Sequence, residues 1–162
     1  VKDEEATVGE CLRLAKFVAW FRASPGRSVD KHKDLEACKE EPTRLQEQLI
    51  RLACCLGGVL GRAVDGEVMR RVRKVAVDTA SGRTLEIAGH LLERGNRGLP
   101  AREMAMLISS TEERTRTLLQ FLTKIGACRS FRRVGEGLTR WKLTDAVARL
   151  VRRMTGVSDA EG

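Results

Sequence analysis

Three polar residues recur at helical spacing in the second half of the chain, and their side chains are suited to binding nucleic acid. Arg116, Thr117 and Gln120 lie on one side of a predicted helix over residues 111–126, opposite an apolar face. Guanidinium, hydroxyl and amide groups can hydrogen-bond to base edges and to phosphate oxygens. Because any surface helix has a polar outer face, the assignment depends on the segments around it.

The segment that follows this helix is short and strongly basic. Gly135 and Gly137 predict a tight turn between two short strands over residues 129–142. Five cations in this segment stand against one carboxylate, Glu136, and cations on a hairpin can reach phosphate groups. The candidates for contacts with a DNA backbone are the cations of the predicted helix and hairpin: Arg114, Lys124, Arg129, Arg132, Arg133, Arg140 and Lys142.

Two further helices are predicted ahead of the polar helix. Thr84 is a possible N-cap of the first, which ends near Gly95, and Leu99 is expected to form a short strand. Pro100 favours the start of the second helix. The buried face predicted for that helix consists of Met104, Ala105, Leu107 and Ile108.

Two acidic residues stand at the start of the polar helix. Either Ser109 with Glu112 or Ser110 with Glu113 would form a capping box there. Carboxylates at this end of a DNA-binding helix repel phosphates unless they cap the helix or accept from cytosine N4. Thr144 is the predicted cap of a last helix after the hairpin.

The order of these elements resembles that of a winged helix-turn-helix domain, as found in MarR-like and PadR-like transcriptional regulators. Glu-Met-Ala at residues 103–105 resembles the Glu-Leu-Ala signature of the second helix in many of them. Arg-Trp-Lys-Leu-Thr at residues 140–144 resembles the Tyr-Arg-Leu-Thr pattern that closes their wings. The resemblance implies that the helix 111–126 enters the major groove and that the wing 129–142 contacts the backbone.

The first half of the chain is predicted to be helical, including Val75 to Val77, where alternating β-branched residues also fit a strand. Most apolar residues over 8–22 lie on one side of the predicted helix, but Trp20 lies outside that side. A helix that is apolar on more than one side fits a central core helix or a helix shared between subunits. Ser28 is a possible cap of a short helix through about Glu40. A basic cluster over residues 70–74 fits a solvated face or a second nucleic-acid patch.

A seam of leucines also runs through the first half. It steps by four and three residues through Leu45, Leu49, Leu52, Leu56 and Val59, which is typical of an antiparallel helix pair, and Val68, Val72 and Val75 supply a matching stripe. This pattern and the position of Trp20 predict a homodimer. Its interface candidates are Phe17, Trp20, Leu45, Leu49, Leu52 and Leu56.

Composition and charge fit a globular protein with a polyanionic partner. Charged residues make up 32% of the chain, and the net charge is +8. Residues 81–162 carry 15 basic and 9 acidic side chains, a net charge of +6, so the basic excess lies with the predicted winged domain. The expected fold is mainly α: a helical region at residues 1–80, a winged helix-turn-helix domain with a small β-hairpin at 83–156, and a flexible tail at 157–162.

Neither catalysis nor a bound cofactor is predicted. His32 and His90 have no metal-ligand spacing and no partner in a recognisable catalytic signature. The five cysteines form no CxxC pair and are interpreted as buried free thiols in a reducing cytoplasm. No apolar run reaches membrane-spanning length, and no signal peptide is recognised.

Three functional hypotheses follow from the sequence. The first is a dimeric, cytoplasmic, sequence-specific regulator that binds double-stranded DNA. The second is a winged helix that binds protein within a larger complex. The third is a thiol- or metal-responsive sensor that uses Cys54 and Cys55.

Overall fold

The computed structural model describes residues 2–22 and 41–156, and over these residues the chain forms two compact units. The first covers residues 2–22 and 41–81, and the second covers residues 82–156. The helix predicted between Ser28 and Glu40, together with His32, Cys38 and the tail, lies outside the described residues. None of the described helices is both long enough and apolar enough to span a membrane.

The regular elements described in the first unit are all helices, as the sequence predicts. It contains α1 (Lys2–Arg22), α2 (Pro42–Leu60) and α3 (Gly66–Thr79). Each of the three helices packs against the other two, and α1 has the most buried side chains among them. The Phe17 and Phe21 rings lie 5.1 Å apart between centroids, and both side chains are buried.

The leucine seam of α2 is only partly used inside the first unit. The first two leucines are buried, but the next buried positions are Ala53 and Gly57 rather than Leu52 and Leu56. A straight helix with 3.6 residues per turn drifts away from a seven-residue repeat, so the buried stripe steps by four. Leu52 and Leu56 are therefore half-buried, and Val59 is 84% exposed.

The valine stripe of α3 shows a similar drift. Val68 and Val72 are buried as predicted, but the prediction is wrong for Val75, which is exposed while Ala76 is buried. The helix itself is continuous through this segment, so the alternative of a strand is excluded. Asp65 caps the helix by accepting from the backbone amides of Glu67 and Val68 at 3.0 Å. The hydrogen bond from the Val68 amide and the nearby Arg62 charge hold the Asp65 pKa below its ordinary value.

The basic cluster of α3 has acidic partners within the first unit. Arg70 and Arg71 both contact Glu67, and Arg73 contacts Glu10 on α1 at 2.8 Å. Glu10 is 8% exposed and also accepts from Arg13. Burial opposes its ionisation, but the hydrogen bonds and charges of its two arginines outweigh burial and lower its pKa. These pairs favour the interpretation of the cluster as a structural and solvated face.

The second unit has the element order of a winged helix-turn-helix domain, as predicted. It contains α4 (Arg83–Arg94), a 3-10 turn (Gly95–Arg97), β1 (Leu99–Pro100), α5 (Ala101–Leu107), α6 (Glu112–Lys124), β2 (Cys128–Arg132), β3 (Thr139–Leu143) and α7 (Asp145–Thr155). Helices α5 and α6 pack against each other across a short turn. The strands form an antiparallel sheet in the order β1-β3-β2, in which β2 and β3 are the wing.

The first two helices of this unit differ in detail from the prediction. Gly82, not Thr84, occupies the N-cap position of α4, and Thr84 is buried within the first turn. On α5, Met104 and Ala105 are buried as predicted, but Leu107 is 44% exposed because the helix ends there. The guanidinium of Arg83 donates to the Ile108 carbonyl, which ties the start of α4 to the end of α5.

Neither predicted capping box forms at the start of α6. The cap is Thr111, whose hydroxyl accepts from the Arg114 amide at 3.3 Å. Ser109 instead adopts a left-handed backbone conformation with φ 49°, which makes the turn between α5 and α6. The helix is also shorter than predicted, because it begins at Glu112 and ends at Lys124.

A close approach between backbone and ring fixes the base of the wing. Gly98 has φ +59°, and a Cβ atom there would lie 2.7 Å from the Trp141 carbonyl oxygen and 2.8 Å from the Phe131 ring. Glycine is therefore required at this position. Trp141 and Leu143 are buried, as the period-two pattern of β3 predicts.

Candidate nucleic-acid interface

Helix α6 carries a polar stripe directly opposite its buried face. The buried residues are Thr115, Leu119, Phe121 and Leu122. At 3.6 residues per turn, the positions opposite them are Glu113, Thr117, Gln120 and Lys124, and all four are exposed. Two of the three predicted base-reading residues thus lie on the outermost stripe of the helix. Arg116 flanks the stripe on one side, and Arg114 lies on the other.

Arg116 is held by an ion pair on its own helix. Its guanidinium donates to the Glu112 carboxylate at 2.6 Å, and the two side chains are 55% and 45% exposed. Exposed ion pairs of this kind contribute about 0–1 kcal/mol. A phosphate or a guanine edge can therefore replace Glu112 as the partner of Arg116 at little cost.

A groove of about 1000 Å³ separates α6 from the wing and the start of α5. Arg116 and Gln120 line it on α6, and Leu138 and Thr139 line it on the wing. Met106 of α5 also lines it and is 69% exposed, while Leu138 is 60% exposed. Two residues predicted to contact bases, Arg116 and Gln120, therefore share one concave surface with the wing. That surface contains both charged and apolar groups.

The strand register divides the wing cations between two faces of the hairpin. Arg129 pairs with Lys142, and Phe131 pairs with Arg140, so these side chains share one face. Arg132 pairs with Thr139, which places it on the other face, the one that borders the groove. The predicted backbone contacts therefore do not form a single basic surface.

The cations on the face away from the groove have partners within the domain. Lys142 donates to the Asn96 side chain at 2.8 Å and lies over the Phe131 ring, 5.6 Å from its centroid. Arg129 lies 3.9 Å from Asp145 at the start of α7. These contacts hold Lys142 more tightly than Arg129, whose ion pair is longer and exposed.

Arg140 is a part of the hairpin's internal structure. Its side chain is 17% exposed, and its Nε donates to Glu136 at 2.8 Å. A second nitrogen lies 3.4 Å from the Gly98 carbonyl oxygen. Arg140 thus ties the hairpin tip to the base of the sheet.

Arg132 and Arg133 are the exposed cations nearest the tip. Arg132 has a long contact of 3.4 Å with the Thr139 hydroxyl, and Arg133 lies 3.9 Å from Glu136. Both contacts are weak because they are long and exposed. The sequence predicts a backbone contact for each of Arg132, Arg133 and Arg140. The Glu136–Arg140 pair that distinguishes Arg140 depends on the fold of the turn and leaves no signal in the sequence.

The candidates for a dimer interface fall into two groups. Phe17, Leu45 and Leu49 are buried inside the first unit, whereas Trp20, Leu52 and Leu56 are half-buried. Two apolar residues outside this candidate set are also exposed in the same unit, Val8 at 44% and Leu60 at 40%. The exposed end of the α2 seam, which includes Val59, is a sequence signal for Leu60 but not for Val8, whose carbonyl accepts from Gln46 near the start of α2.

The cysteines differ from the interpretation as uniformly buried thiols. Cys11 and Cys128 are buried, but the prediction is wrong for Cys54 and Cys55, which are both exposed. Burial raises the pKa of Cys11, and burial raises the pKa of Cys128 to about 12. Over residues 2–22 and 41–156, no group of three or more His, Cys, Asp or Glu side chains could hold a metal ion.

The element order of the second unit places this chain among winged helix-turn-helix proteins, and three solved chains are similar to it. A MepR variant from a multidrug-resistant S. aureus clinical isolate is 19% identical with a TM-score of 0.42, over 48% of this chain and 57% of that one. The chain therefore spans little more than half the length of that protein.

The other two similar structures are less alike in sequence. An S. aureus MepR variant bound to an oligodeoxyribonucleotide is 14% identical, with a TM-score of 0.43 over 70% of each chain. NadR in complex with 4-hydroxyphenylacetate is 14% identical, with a TM-score of 0.42 over 81% of this chain and 77% of that one. No family model and no curated protein matches the sequence.

Proposed function

We propose that this chain is a cytoplasmic, sequence-specific regulator of transcription that binds double-stranded DNA as a homodimer. In this proposal, residues 83–156 bind DNA and residues 1–80 form the dimer. The observation that carries it is the exposed polar stripe of α6, which lies directly opposite the buried face and beside a basic hairpin. A helix with this arrangement can enter the major groove and present its side chains to base edges.

Base reading is proposed for Thr117 and Gln120 at the centre of the stripe and for Arg116 at its flank. The Gln120 amide can pair with adenine, and a guanidinium can pair with guanine. Arg116 would exchange Glu112 for a DNA group, which the weak exposed pair permits. Arg114 and Lys124, at the two ends of the helix, are proposed to contact phosphates.

Backbone contacts are proposed for the wing, with different roles for its cations. Arg132 and Arg133 are exposed near the tip, and over the described part of the chain each has only a long contact. Arg140 would position the tip through Glu136 rather than reach the backbone itself. Replacing Arg132 and Arg133 by alanine should therefore flatten the log–log salt dependence of binding by about one to two units, at about 0.9 per contact.

Dimerisation is proposed through the exposed end of the α2 seam. Leu52, Leu56 and Val59 form an apolar strip that packing within the first unit leaves partly uncovered. A homodimer would present two copies of α6, and half-sites of helix-turn-helix dimers lie about 34–36 Å apart on DNA.

The experiment that tests base reading compares single variants of the full chain on a preferred duplex and on random DNA. Gln120→Ala and Arg116→Ala should each cost about 1–3 kcal/mol on the preferred duplex and little on random DNA. Arg149→Ala, which removes an exposed cation from α7, is the matched control and should leave the preference unchanged. Equal weakening on every sequence would show that α6 does not read bases.

A second candidate function is docking of a protein on the groove of the second unit. It is favoured by Met106 and Leu138, which are large, apolar and exposed on a surface that otherwise would face DNA. Under this alternative, the Arg132→Ala/Arg133→Ala variant would keep its fold, and the salt dependence of its DNA binding would be the same as in the wild type. The same result would count against the proposed wing contacts.

A further inference from the structure

We infer that Glu113 is a specificity-determining residue whose carboxylate accepts a hydrogen bond from the N4 amino group of a cytosine in the major groove. This inference rests on the proposed function, because it assigns a role to one residue of the same DNA-facing helix. It names a base that the preferred DNA site must contain in each half-site.

The structure removes the helix-capping explanation for this carboxylate. The α6 cap is the Thr111 hydroxyl, which accepts from the Arg114 amide, so the Glu113 side chain is not needed for that purpose. The contact that Glu113 makes within α6 uses its backbone carbonyl, which accepts from the Thr117 hydroxyl at 3.0 Å. Among the residues that the structure describes, no hydrogen bond or ion pair engages the Glu113 carboxylate.

The neighbouring carboxylate is in a different situation. Glu112 forms a 2.6 Å ion pair with Arg116 and lines the groove beside the wing. Glu113 lies about 100° further around the helix, on the outermost stripe with Thr117 and Gln120. Of the two acidic residues in the first turn, Glu113 is therefore the one that would face the floor of a major groove.

Position within the helix determines which DNA group this carboxylate would meet. In helix-turn-helix complexes the first residues of the recognition helix contact base edges, whereas phosphates lie at the sides of the groove. A carboxylate accepts only, and the donors on base edges in the major groove are cytosine N4 and adenine N6. Adenine places the N7 acceptor beside N6, which repels a carboxylate, so cytosine is the favoured partner.

The experiment begins with selection of duplexes from a random pool by the full-length wild-type chain. We expect a cytosine at one fixed position in each half-site. Affinities are then measured on the selected duplex and on one in which that cytosine is N4-methylcytosine. The modified base keeps its pairing with guanine but presents a methyl group to the major groove in place of the donor.

The expected result is that the effect of N4-methylation on affinity depends on the Glu113 carboxylate. Methylation should weaken wild-type binding by about tenfold, and it should have little effect on Glu113→Ala. Glu113→Gln should shift the preference at that position towards adenine, because an amide both donates to N7 and accepts from N6. Thermal melting of both variants should fall only slightly, because the Thr111 cap is intact and the loss of a first-turn carboxylate costs about 0.3–1 kcal/mol.

Glu103→Ala is the matched control for a general effect of charge. Glu103 is an exposed carboxylate on α5 that lines the groove, so its loss also reduces repulsion of phosphates. It should raise affinity on every duplex and leave the effect of N4-methylation as large as in the wild type.

Two outcomes would overturn the inference, and they differ in what else they affect. If methylation weakens wild type and Glu113→Ala equally, Glu113 does not contact the base, although the chain is still a sequence-specific DNA-binding protein. If the wild-type chain enriches no sequence from the pool, the proposed function fails together with the role of Glu113.

Discussion

Replacing Thr115 by valine should stabilise the second unit, because this threonine holds a buried hydroxyl without a partner. Thr115 is 0% exposed on the face of α6 that packs into the domain. Its Oγ1 atom has no hydrogen-bond partner among the described residues. Valine has nearly the same shape, so the substitution removes the polar atom and keeps the packing.

The size of the effect follows from two opposing contributions. An unsatisfied buried polar group costs about 1–3 kcal/mol, which the variant regains. The methyl group is slightly larger than the hydroxyl, and crowding can take back up to about 1 kcal/mol. Threonine and valine have similar helix propensities, so that difference is small. The net gain should be about 1 kcal/mol, or a rise in Tm of about 4–8 °C for a domain of this size.

Two measurements on the full chain test this gain. One is urea unfolding monitored by circular dichroism, and the other is thermal melting. Thr123→Val is the matched control, because the Thr123 hydroxyl donates to the Leu119 carbonyl at 2.8 Å and the residue is half-buried. That control should be neutral or slightly destabilising. A loss of stability in Thr115→Val would show that its hydroxyl is hydrogen-bonded, and the reasoning from the unpaired atom would be refuted.

Three further predictions concern the first unit and the cysteines. Glu10→Gln should lower the free energy of unfolding by about 1–2 kcal/mol at neutral pH. This value is smaller than for a fully buried ion pair, because both arginine partners are partly exposed to solvent. Because folding lowers the Glu10 pKa, the greater stability of the wild type is present above about pH 4.5 and is lost as pH falls through the folded pKa. Equal acid sensitivity of the two proteins would contradict this prediction. Val59→Asp should halve the mass measured by light scattering without loss of fold. Val134→Asp, at the exposed hairpin tip, is the control and should leave a dimer. A Val59→Asp protein that is still dimeric would exclude the α2 strip as the dimer interface. A maleimide followed by mass spectrometry should label Cys54 and Cys55 in the native protein and Cys128 only after unfolding, and rapid native labelling of Cys128 would contradict its burial.

Much of the second unit could be predicted from the sequence because its signals are local. The apolar period, the glycines and Pro100 determine where helices and strands begin and end, and the structure confirms the resulting order. The cap of α6 could not be chosen in the same way. Ser109, Ser110 and Thr111 are adjacent and can all cap a helix, and the choice depends on the backbone conformation of the turn.

The roles of individual side chains were harder to predict because they depend on contacts between distant residues. Arg140 and Arg132 look alike in the sequence, but the strand register places them on opposite faces and brings Arg140 to Glu136. Likewise, the leucine repeat of α2 predicts an apolar seam but not which part of it the first unit buries. That division depends on how α1 and α3 pack against the helix.

The most direct test of the central claim is a fluorescence anisotropy titration of the full chain across a series of salt concentrations. It compares the duplex selected by the wild-type protein with a duplex of the same composition and scrambled order. We predict tighter binding to the selected duplex, by a factor of at least about 10³, and a steep fall in affinity with salt on both duplexes. Equal affinity for the two duplexes, or binding that does not depend on salt, would contradict the assignment of this chain as a sequence-specific DNA-binding protein.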